Sequence, residues 1–360
     1  MLIMLIMKSI MKLHKNRLAI SNSITTISIA VAVLLQTNNV SASSAALNEL
    51  PETISEVIAD RNIRHIGDIV KVKRNESLTR IAAAGGHVYL VTNKGKLLIS
   101  ADYGASFRKR KLGRSEVVLN VAASGNFLYA VTLNKLTRAK GLFVSRDHGS
   151  AFFNITDRLG ITGKSIAVVS IAASGSYFYM LVDDLLSCSR HLLISSDNGN
   201  SFTDSQHTND LLGYDKDFEM AAFGRHLYLF NTETLLISHD YGVSFPFINN
   251  PNVNNSNDLL VYPGDAYDPT LPVSIAAFGS YAYATTANSK KLFIFNSGSD
   301  YGISCSTTSI DSLGPEGESI GTLLAIAASD SDDSGHHHIY AITADGRKLL
   351  IRALSAKRQL

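Results

Sequence analysis

Tryptophan is absent from the 360 residues, and cysteine occurs twice, as Cys188 and Cys305. Without tryptophan, the chain has no carbohydrate subsites built on indole stacking. Two cysteines cannot form a disulfide framework. Charge is scarce as well: 18% of residues are charged and the formal net charge is +2, too small an excess to draw nucleic acid. A glycine-rich phosphate loop, a nucleophile elbow and paired CxxC motifs are all missing. No cofactor is expected. What remains is the composition of a globular protein, 45% apolar.

The first 45 residues stand apart. Lys8, Lys12, Lys15 and Arg17 form a basic stretch without an acid, followed by the apolar run "ITTISIAVAVLL" (24–35) and the small-residue sequence "VSA" (40–42). This order reads as a secretory signal over 1–42, cleaved near Ala42. The run is short for a membrane span, and no cysteine follows it to carry a lipid anchor. An uncleaved N-terminal anchor is the alternative, and Met7 and Met11 are alternative starts. The expectation is an exported protein, periplasmic or extracellular, with no integral membrane span in the mature chain. Residues 43–64 read as a linker or short helix.

The rest of the chain repeats itself. One phrase occurs as "IAAAGGHVYLVT" (81–92), "VAASGNFLYAVT" (121–132), "IAASGSYFYMLV" (171–182), "MAAFGRHLYLFN" (220–231) and "IAAFGSYAYATT" (275–286). A sixth copy, "IAASDSDDSGHHHIYAIT" (326–343), carries an insertion. The intervals between starts are 40, 50, 49, 55 and 51 residues, the length of one four-stranded propeller blade. Each unit parses into an inner strand A of small residues, an alternating β-branched strand B, a strand C of the "KLLIS" type and a strand D starting at a phenylalanine.

Between strands C and D a second motif recurs, S-x-D-x-G-x-x-F. It falls at Ser100/Asp102/Gly104/Phe107, Ser145/Asp147/Gly149/Phe152, Ser195/Asp197/Gly199/Phe202 and Ser238/Asp240/Gly242/Phe245. A degraded fifth copy keeps Asp300 and Gly302, and the sixth unit (346–354) has the strand without the box. The pattern resembles the Asp-box, or bacterial neuraminidase repeat, of the sialidase-like β-propellers, and the resemblance covers residues 65–360. In that family the box is a structural turn. Its chemistry agrees: a short carboxylate accepts turn N–H groups, and glycine adopts a backbone conformation that a Cβ resists. These aspartates are therefore expected to fold the protein rather than to catalyse.

The fold expected is all-β, a six-bladed β-propeller of four-stranded antiparallel blades. "DIVKVKR" (68–74) would close the ring as strand D of the last blade, leaving no open sheet edge. Cys188 and Cys305 then lie on opposite faces two blades apart, too far to be bridged. Both are expected to be free thiols packed as small apolar residues.

Function is sought on the face shared by the D–A and B–C loops, away from the boxes. Sialidases need three arginines around a carboxylate, a Tyr–Glu nucleophile pair and an Asp acid/base. Arg80 alone resembles one of the arginines, and the family's Arg-Ile-Pro signature is missing. Glu116, Asp217 and Glu219, near the starts of inner strands, are the weak candidates for a two-carboxylate glycosidase, with Asp183 and Asp184 in a B–C loop. The basic run Arg108, Lys109, Arg110 and Lys111, with Arg114 and Arg80, forms a candidate docking surface. Asp332, Asp333, His336 and His338 are weak metal-ligand candidates, although adjacent strand residues point to opposite sides. The leading expectation is a noncatalytic exported propeller that binds a protein or glycan partner through its D–A loops. It is similar in kind to the Asp-box assembly factors related to the photosystem II stability proteins. A divergent glycoside hydrolase is the alternative.

Overall fold

The computed structural model describes residues 64–65, 75–160, 166–205, 218–231, 235–245, 273–279, 281–286, 291–299, 302–309, 322–329 and 336–355. All of them lie within Ala59–Leu360. The fold is an all-β propeller of antiparallel blades. Blade 1 runs through Leu78–Ala84, His87–Thr92, Leu97–Ser100 and Arg108–Arg110 as strands A to D. Blade 2 comprises Glu116–Ser124, Phe127–Asn134, Lys140–Ser145 and Phe153–Asn154. Blade 3 comprises Ile166–Ser174, Tyr177–Asp184, Ser189–Ser195 and Thr203–Ser205. The next sheet shows three strands among the described residues, Glu219–Phe223, His226–Phe230 and Leu235–Ser238. Val273–Phe278, Tyr281–Thr286, Lys291–Ser299 and Gly302–Ser309 make the following four-stranded blade. The last sheet contains Leu323–Ser329, His336–Thr343 and Leu349–Ser355, with Arg64–His65 as its outer strand.

That outer strand pairs Arg64 with Ile351 and His65 with Leu350. The pairing lies just upstream of residues 68–74, which are outside the described residues. It also starts one residue before the expected domain boundary at 65.

Alternation along each strand gives every sheet two apolar faces, and the buried residues form one core per sheet-to-sheet junction. Tyr89, Leu97 and Ile99 of blade 1 meet Val121 and Leu128 of blade 2. Tyr129 and Val131 of blade 2 meet Phe178, Met180 and Val182 of blade 3. Tyr340 and Ile351 of the last sheet meet Leu78 and Val88 of the first. The inner strands likewise pack in cyclic order, the last against the first. Backbone bonds reinforce this: Leu78 N–H donates to Gly346 O at 2.7 Å, and Val118 N–H to Gly95 O at 3.0 Å. The Ser170 and Ser274 hydroxyls accept the Met220 and Ile326 N–H groups, each on the following inner strand.

Four inner strands share a β-bulge near their start, between Leu78 and Arg80, Val118 and Asn120, Val168 and Ser170, and Leu323 and Ala325. A bulge kinks the strand and re-aims the next side chain. Arg80 therefore lies inside strand A, not before it.

The box turns behave as their chemistry demands. The Ser195 hydroxyl donates to Asp197 Oδ1 at 2.8 Å and accepts Gly199 N–H at 2.8 Å. Asp197 also accepts the Ser201 N–H at 2.9 Å and the Ser201 hydroxyl at 2.6 Å. The same web surrounds Asp102 and Asp240, and Asp147 has it without the second hydroxyl, since Ala151 supplies only its N–H. Each turn places two successive residues in the left-handed region, such as Asn198 (φ 58°) and Gly199 (φ 82°).

Gly104 of the first box corrects the expectation of a purely conformational role. Its backbone is left-handed as expected (φ 86°), but the residue is also buried, and its N–H donates to the Ser100 hydroxyl at 2.8 Å. The turn therefore uses the amide of Gly104 as well as its backbone freedom, because a buried N–H must find a partner. The later boxes add a steric demand. A Cβ on Gly149 would come within 2.5 Å of Ile99 Cδ1, an atom of the preceding blade. The box phenylalanines follow the glycines into these junctions: Phe152 packs on the core between blades 1 and 2, and Phe202 on that between blades 2 and 3. They pin one blade to the previous one, where the sequence suggested only strand D to its own blade. In the degraded fifth box, Asp300 is outside the described residues, and Gly302 opens strand D opposite Ser299.

Cys188 is free but exposed, in the B–C turn at φ 50°. It is not packed as expected, because the turn residues 185–188 stand out from the sheet. Cys305 sits on strand D opposite Phe295, and its side chain is outside the described set. Among the described residues, no helix is long and apolar enough to cross a membrane.

Two stability outcomes follow. Gly346 (φ 66°) has Leu78 O 2.6 Å and Ser77 Cβ 2.7 Å from where a Cβ would sit, whereas Gly160 (φ 65°) has open space. Gly160→Ala should cost about 1 kcal/mol for the left-handed backbone. Gly346→Ala should cost about 3 kcal/mol or more, since the first blade must also move. Chemical denaturation measures both.

Acid should act through the boxes. Burial pushes the Asp197 carboxyl up, but hydrogen bonds from Ser201, Ser195 and Asn200 outweigh it and bring the group down to about 2. A depressed carboxyl contributes its full stability above the unfolded value of about 3.9 and loses it as pH falls through the folded value. Asp197→Asn should be less stable than wild type by about 1–3 kcal/mol at pH 7. Melting curves should converge as pH drops from 4 to 2.

Candidate functional site

Two ends of the axis and one outer edge compete for function. At the A–B end the inner strands finish around a cavity of about 610 Å³. Equivalent alanines line it, among them Ala83, Ala123, Ala173, Ala222, Ala277 and Ala328. Among the described residues, the lining contains no ionisable side chain. Those residues offer room at this end without an acid, a base or a charge.

The D–A end holds the candidate carboxylates. Glu116 is the first residue of strand A in blade 2, and both its oxygens are engaged within that blade. Oε2 accepts the Thr132 hydroxyl at 2.6 Å, and Oε1 accepts Asn134 Nδ2 at 2.7 Å. Blade 1 repeats the device: Glu76 accepts the Thr92 hydroxyl at 2.8 Å and pairs with Lys96. Glu116 thus ties the start of strand A to the end of strand B, a structural role that the repeat predicts.

Glu219 starts the inner strand of the three-stranded sheet. Its Oε2 accepts the Ser170 hydroxyl at 2.8 Å, and its Oε1 lies 3.9 Å from Arg80 NH2. Arg80 comes from blade 1, so this contact joins the inner strands of two sheets that are not neighbours in the chain. Its NH1 donates to Thr79 O at 3.0 Å, while Nε is buried with no hydrogen-bond partner among the described residues. Asp217 is outside the described residues. Glu116 is held by Thr132 and Asn134 of its own blade, and Glu219 by Ser170 and Arg80.

The acids of the blade 3 B–C loop separate. Asp183 takes Arg190 in a two-pronged pair, Nε to Oδ1 at 2.6 Å and NH2 to Oδ2 at 3.0 Å. Arg190 is 2% exposed, and its guanidinium lies 6.0 Å from the Phe218 ring centroid. Asp184 points to the other side and accepts the Leu186 N–H at 2.9 Å. That bond, with the Ser187 hydroxyl, holds its carboxyl below the ordinary range.

The basic run needs a correction. Arg108–Arg110 form strand D of blade 1, pairing with Ile99, Leu98 and Leu97, rather than a loop. All three are exposed, as are Lys111 and Arg114 in the connection that follows. Strand D is the outer edge of its sheet, so among the described residues one row of its backbone donors and acceptors has no strand beside it. None of the five cations has a carboxylate partner within ion-pair distance among the described residues.

The histidine cluster is also relocated. His336 and His338 belong to strand B of the last sheet, with His338 opposite Ser329, rather than to the loop before it. The His338 ring lies 5.1 Å from that of Tyr103 in the first box turn. Asp332 and Asp333 are outside the described residues. Among the described residues no group of three potential ligands gathers around a metal position.

Sequence reasoning missed the Asp183–Arg190 pair, because two residues seven apart in a loop look solvated. The hairpin register, in which Asp183 faces Arg190, was the available signal. Replacing Arg190 with Met should cost about 2–3 kcal/mol, since it leaves the half-buried Asp183 carboxylate without its two-pronged partner. Glu219→Gln, in a half-exposed contact with Arg80, should cost under about 1 kcal/mol. Urea titration of the two variants checks the contrast.

No family model and no curated protein matches the sequence. Solved structures are similar in fold. The structure described as YCF48 bound to D1 peptide shares 11% identity at a TM-score of 0.41, over 80% of this chain and 96% of that one. The Hadza microbial sialidase Hz136 shares 10% identity at a TM-score of 0.49, over 78% and 65%. Trypanosoma rangeli sialidase in complex with the inhibitor DANA shares 13% at 0.45, over 78% and 55%. Likeness at these identities says nothing about activity.

Proposed function

We propose that the chain is an exported Asp-box propeller, a wheel of six blades closed by its N-terminal strand, that works by binding a protein partner. The cyclic order of the junction cores supports the wheel. The basic signal over 1–42 supports export. The observation that carries the binding role is the outer edge of blade 1. There Arg108, Lys109 and Arg110 are exposed on an edge strand and continue into Lys111 and Arg114. Like charges on an edge repel a second copy of the same edge. An acidic extended segment meets the opposite condition: the unpaired backbone can accept it as an added strand, and the arginine forks match carboxylates. The partner is therefore a protein with an acidic strand, rather than a glycan.

No glycosidase role is assigned to the axis. Among the described residues the cavity there has no ionisable lining, and Glu116 and Glu219 hydrogen-bond or pair with Thr132, Asn134, Ser170 and Arg80.

The test uses the chain beginning at Ser43 and a fluorescein-labelled ten-residue peptide rich in Asp and Glu. Fluorescence anisotropy should report saturable, salt-sensitive binding. Combined Arg108→Glu, Arg110→Glu and Arg114→Glu should weaken it at least tenfold. Undiminished binding by that variant would refute the assigned surface. A screen of methylumbelliferyl glycosides should show no turnover, and turnover lost in Glu219→Gln would overturn the binding role.

A further inference from the structure

We propose that blade 3 carries a second functional site, a serine–histidine–aspartate hydrolase centre made by Ser189, His191 and Asp204. Its substrate is an ester whose apolar acyl part sits in the cleft between blades 2 and 3.

The geometry is that of a charge-relay. Ser189 Oγ is 2.8 Å from His191 Nε2, and His191 Nδ1 is 2.7 Å from Asp204 Oδ2. Both distances fall within hydrogen-bond reach for a nucleophile, its base and the group that orients the base. An aspartate that accepts from Nδ1–H orients the ring so that Nε2 faces the serine hydroxyl. Ser187 Oγ adds a further contact to Ser189 Oγ at 2.6 Å. The group is accessible, with the His191 and Asp204 side chains 27% and 42% exposed. At that exposure water would satisfy each group separately, so burial does not enforce the ordered chain of contacts.

Strand register places the relay beside a cleft. Ser189, His191 and Leu193 alternate along strand C and therefore share one face. His191 lies opposite Val182, and Asp204 lies opposite Leu193. Val182 and Leu193 line a cleft of about 310 Å³ with Met180, Val168, Leu142 and Lys140. The pocket is mainly apolar, and among the described residues Lys140 and Asp157 are the charged groups of its lining. At the adjoining turn Leu185 and Leu186 are 51% and 84% exposed. Small apolar acyl groups fit this environment, whereas sugars and phosphates find few partners in it.

The reaction balances with water as co-substrate. Ser189 Oγ bonds to the ester carbonyl carbon while its proton passes to His191 Nε2. The bond from that carbon to the alcohol oxygen breaks, and the leaving alkoxide takes the proton from Nε2. Water then attacks the acyl-serine and gives a proton to Nε2. The carbon–Oγ bond breaks, the acid departs, and Oγ recovers the proton. Asp204 is a positioning residue in this scheme, since it touches only His191.

The test uses the chain from Ser43 with p-nitrophenyl acetate, p-nitrophenyl butyrate and a biotinylated alkyl fluorophosphonate. Saturable nitrophenol release is expected, faster with butyrate, and the phosphonate should be found on Ser189 by peptide mass spectrometry. Ser189→Ala and His191→Gln should each lower kcat roughly a hundredfold. Asp204→Asn should lower kcat with KM unchanged, and Cys188→Ala should leave both unchanged. Labelling of unsubstituted protein reads the site independently of any variant's folding. Equal turnover by Ser189→Ala, or no phosphonate on Ser189, would overturn the proposal. Loss of labelling has no bearing on the edge of blade 1, so the two functional readings fail separately.

Discussion

The structure depends on how one blade's turn fills the side of the blade before it. Each sheet buries both faces, so each junction must be packed to interior density or the wheel loosens. The repeated tyrosine of strand B supplies the body of the junction, and Tyr89, Tyr129, Tyr179, Tyr228 and Tyr340 are fully buried. An aromatic ring of this kind buries about 150–250 Å². The next blade's box turn then settles over the ring. Tyr129 Cε1 lies 3.5 Å from where a Cβ on Gly199 would be, and Tyr179 Cε1 lies 3.4 Å from the same point on Gly242. A side chain at either position would also meet a left-handed backbone. The aspartate's part is to hold that turn in the one shape that fits. Among the described residues, the hydroxyls of Tyr89, Tyr129 and Tyr179 meet no hydrogen-bonding group. Ring packing therefore outweighs the cost of leaving them unpaired, about 1–3 kcal/mol each.

This arrangement divides the molecule by chemistry. The A–B and C–D end is occupied by turns that lock junctions, and a second layer of rings covers it: His87 stacks on His148 at 3.8 Å and Tyr177 on Tyr241 at 4.2 Å. Each pair joins a strand B to the next blade's box. Residues serving two blades at once are poorly placed to rearrange around a substrate. At the A–B end the axis is lined by the small side chains of the converging inner strands. Among the described residues, the outer edges are where strands meet solvent on one side.

Period and motif made the repeat legible. A phrase returning about every fifty residues fixes the strand order within each unit, and the box fixes one turn. The interior of a junction was less visible, because the sequence shows that Phe152 follows a turn and not which blade it enters. The bulges before Arg80, Asn120, Ser170 and Ala325 left no trace, since a bulge is a register event between two strands. Arg108–Arg110 read as loop because three cations rarely signal a strand, yet an exposed edge strand is where charge is tolerated. Glu116 looked like a candidate acid until the same contact appeared at Glu76. The Ser189–His191–Asp204 relay lay within reach of register counting: the Ser195 box fixes the C–D hairpin, which sets Asp204 opposite Leu193 and one step from His191.

Surface chemistry on such a scaffold is constrained by the same register. A residue on strand C or D cannot shift along its neighbour without carrying its whole face the wrong way, so the backbone positions from which side chains there project are set by the pairing. The relay of blade 3 exploits this, with all three members on strands or at a strand end. On its far face Arg190 and Asp183 close a buried pair across the same B–C hairpin. That pair fixes the hairpin whose turn ends at Ser189, and so fixes the approach of the nucleophile to His191. A rigid face at the rim and a charged free edge two blades earlier can therefore evolve independently, because neither is needed to hold a junction together.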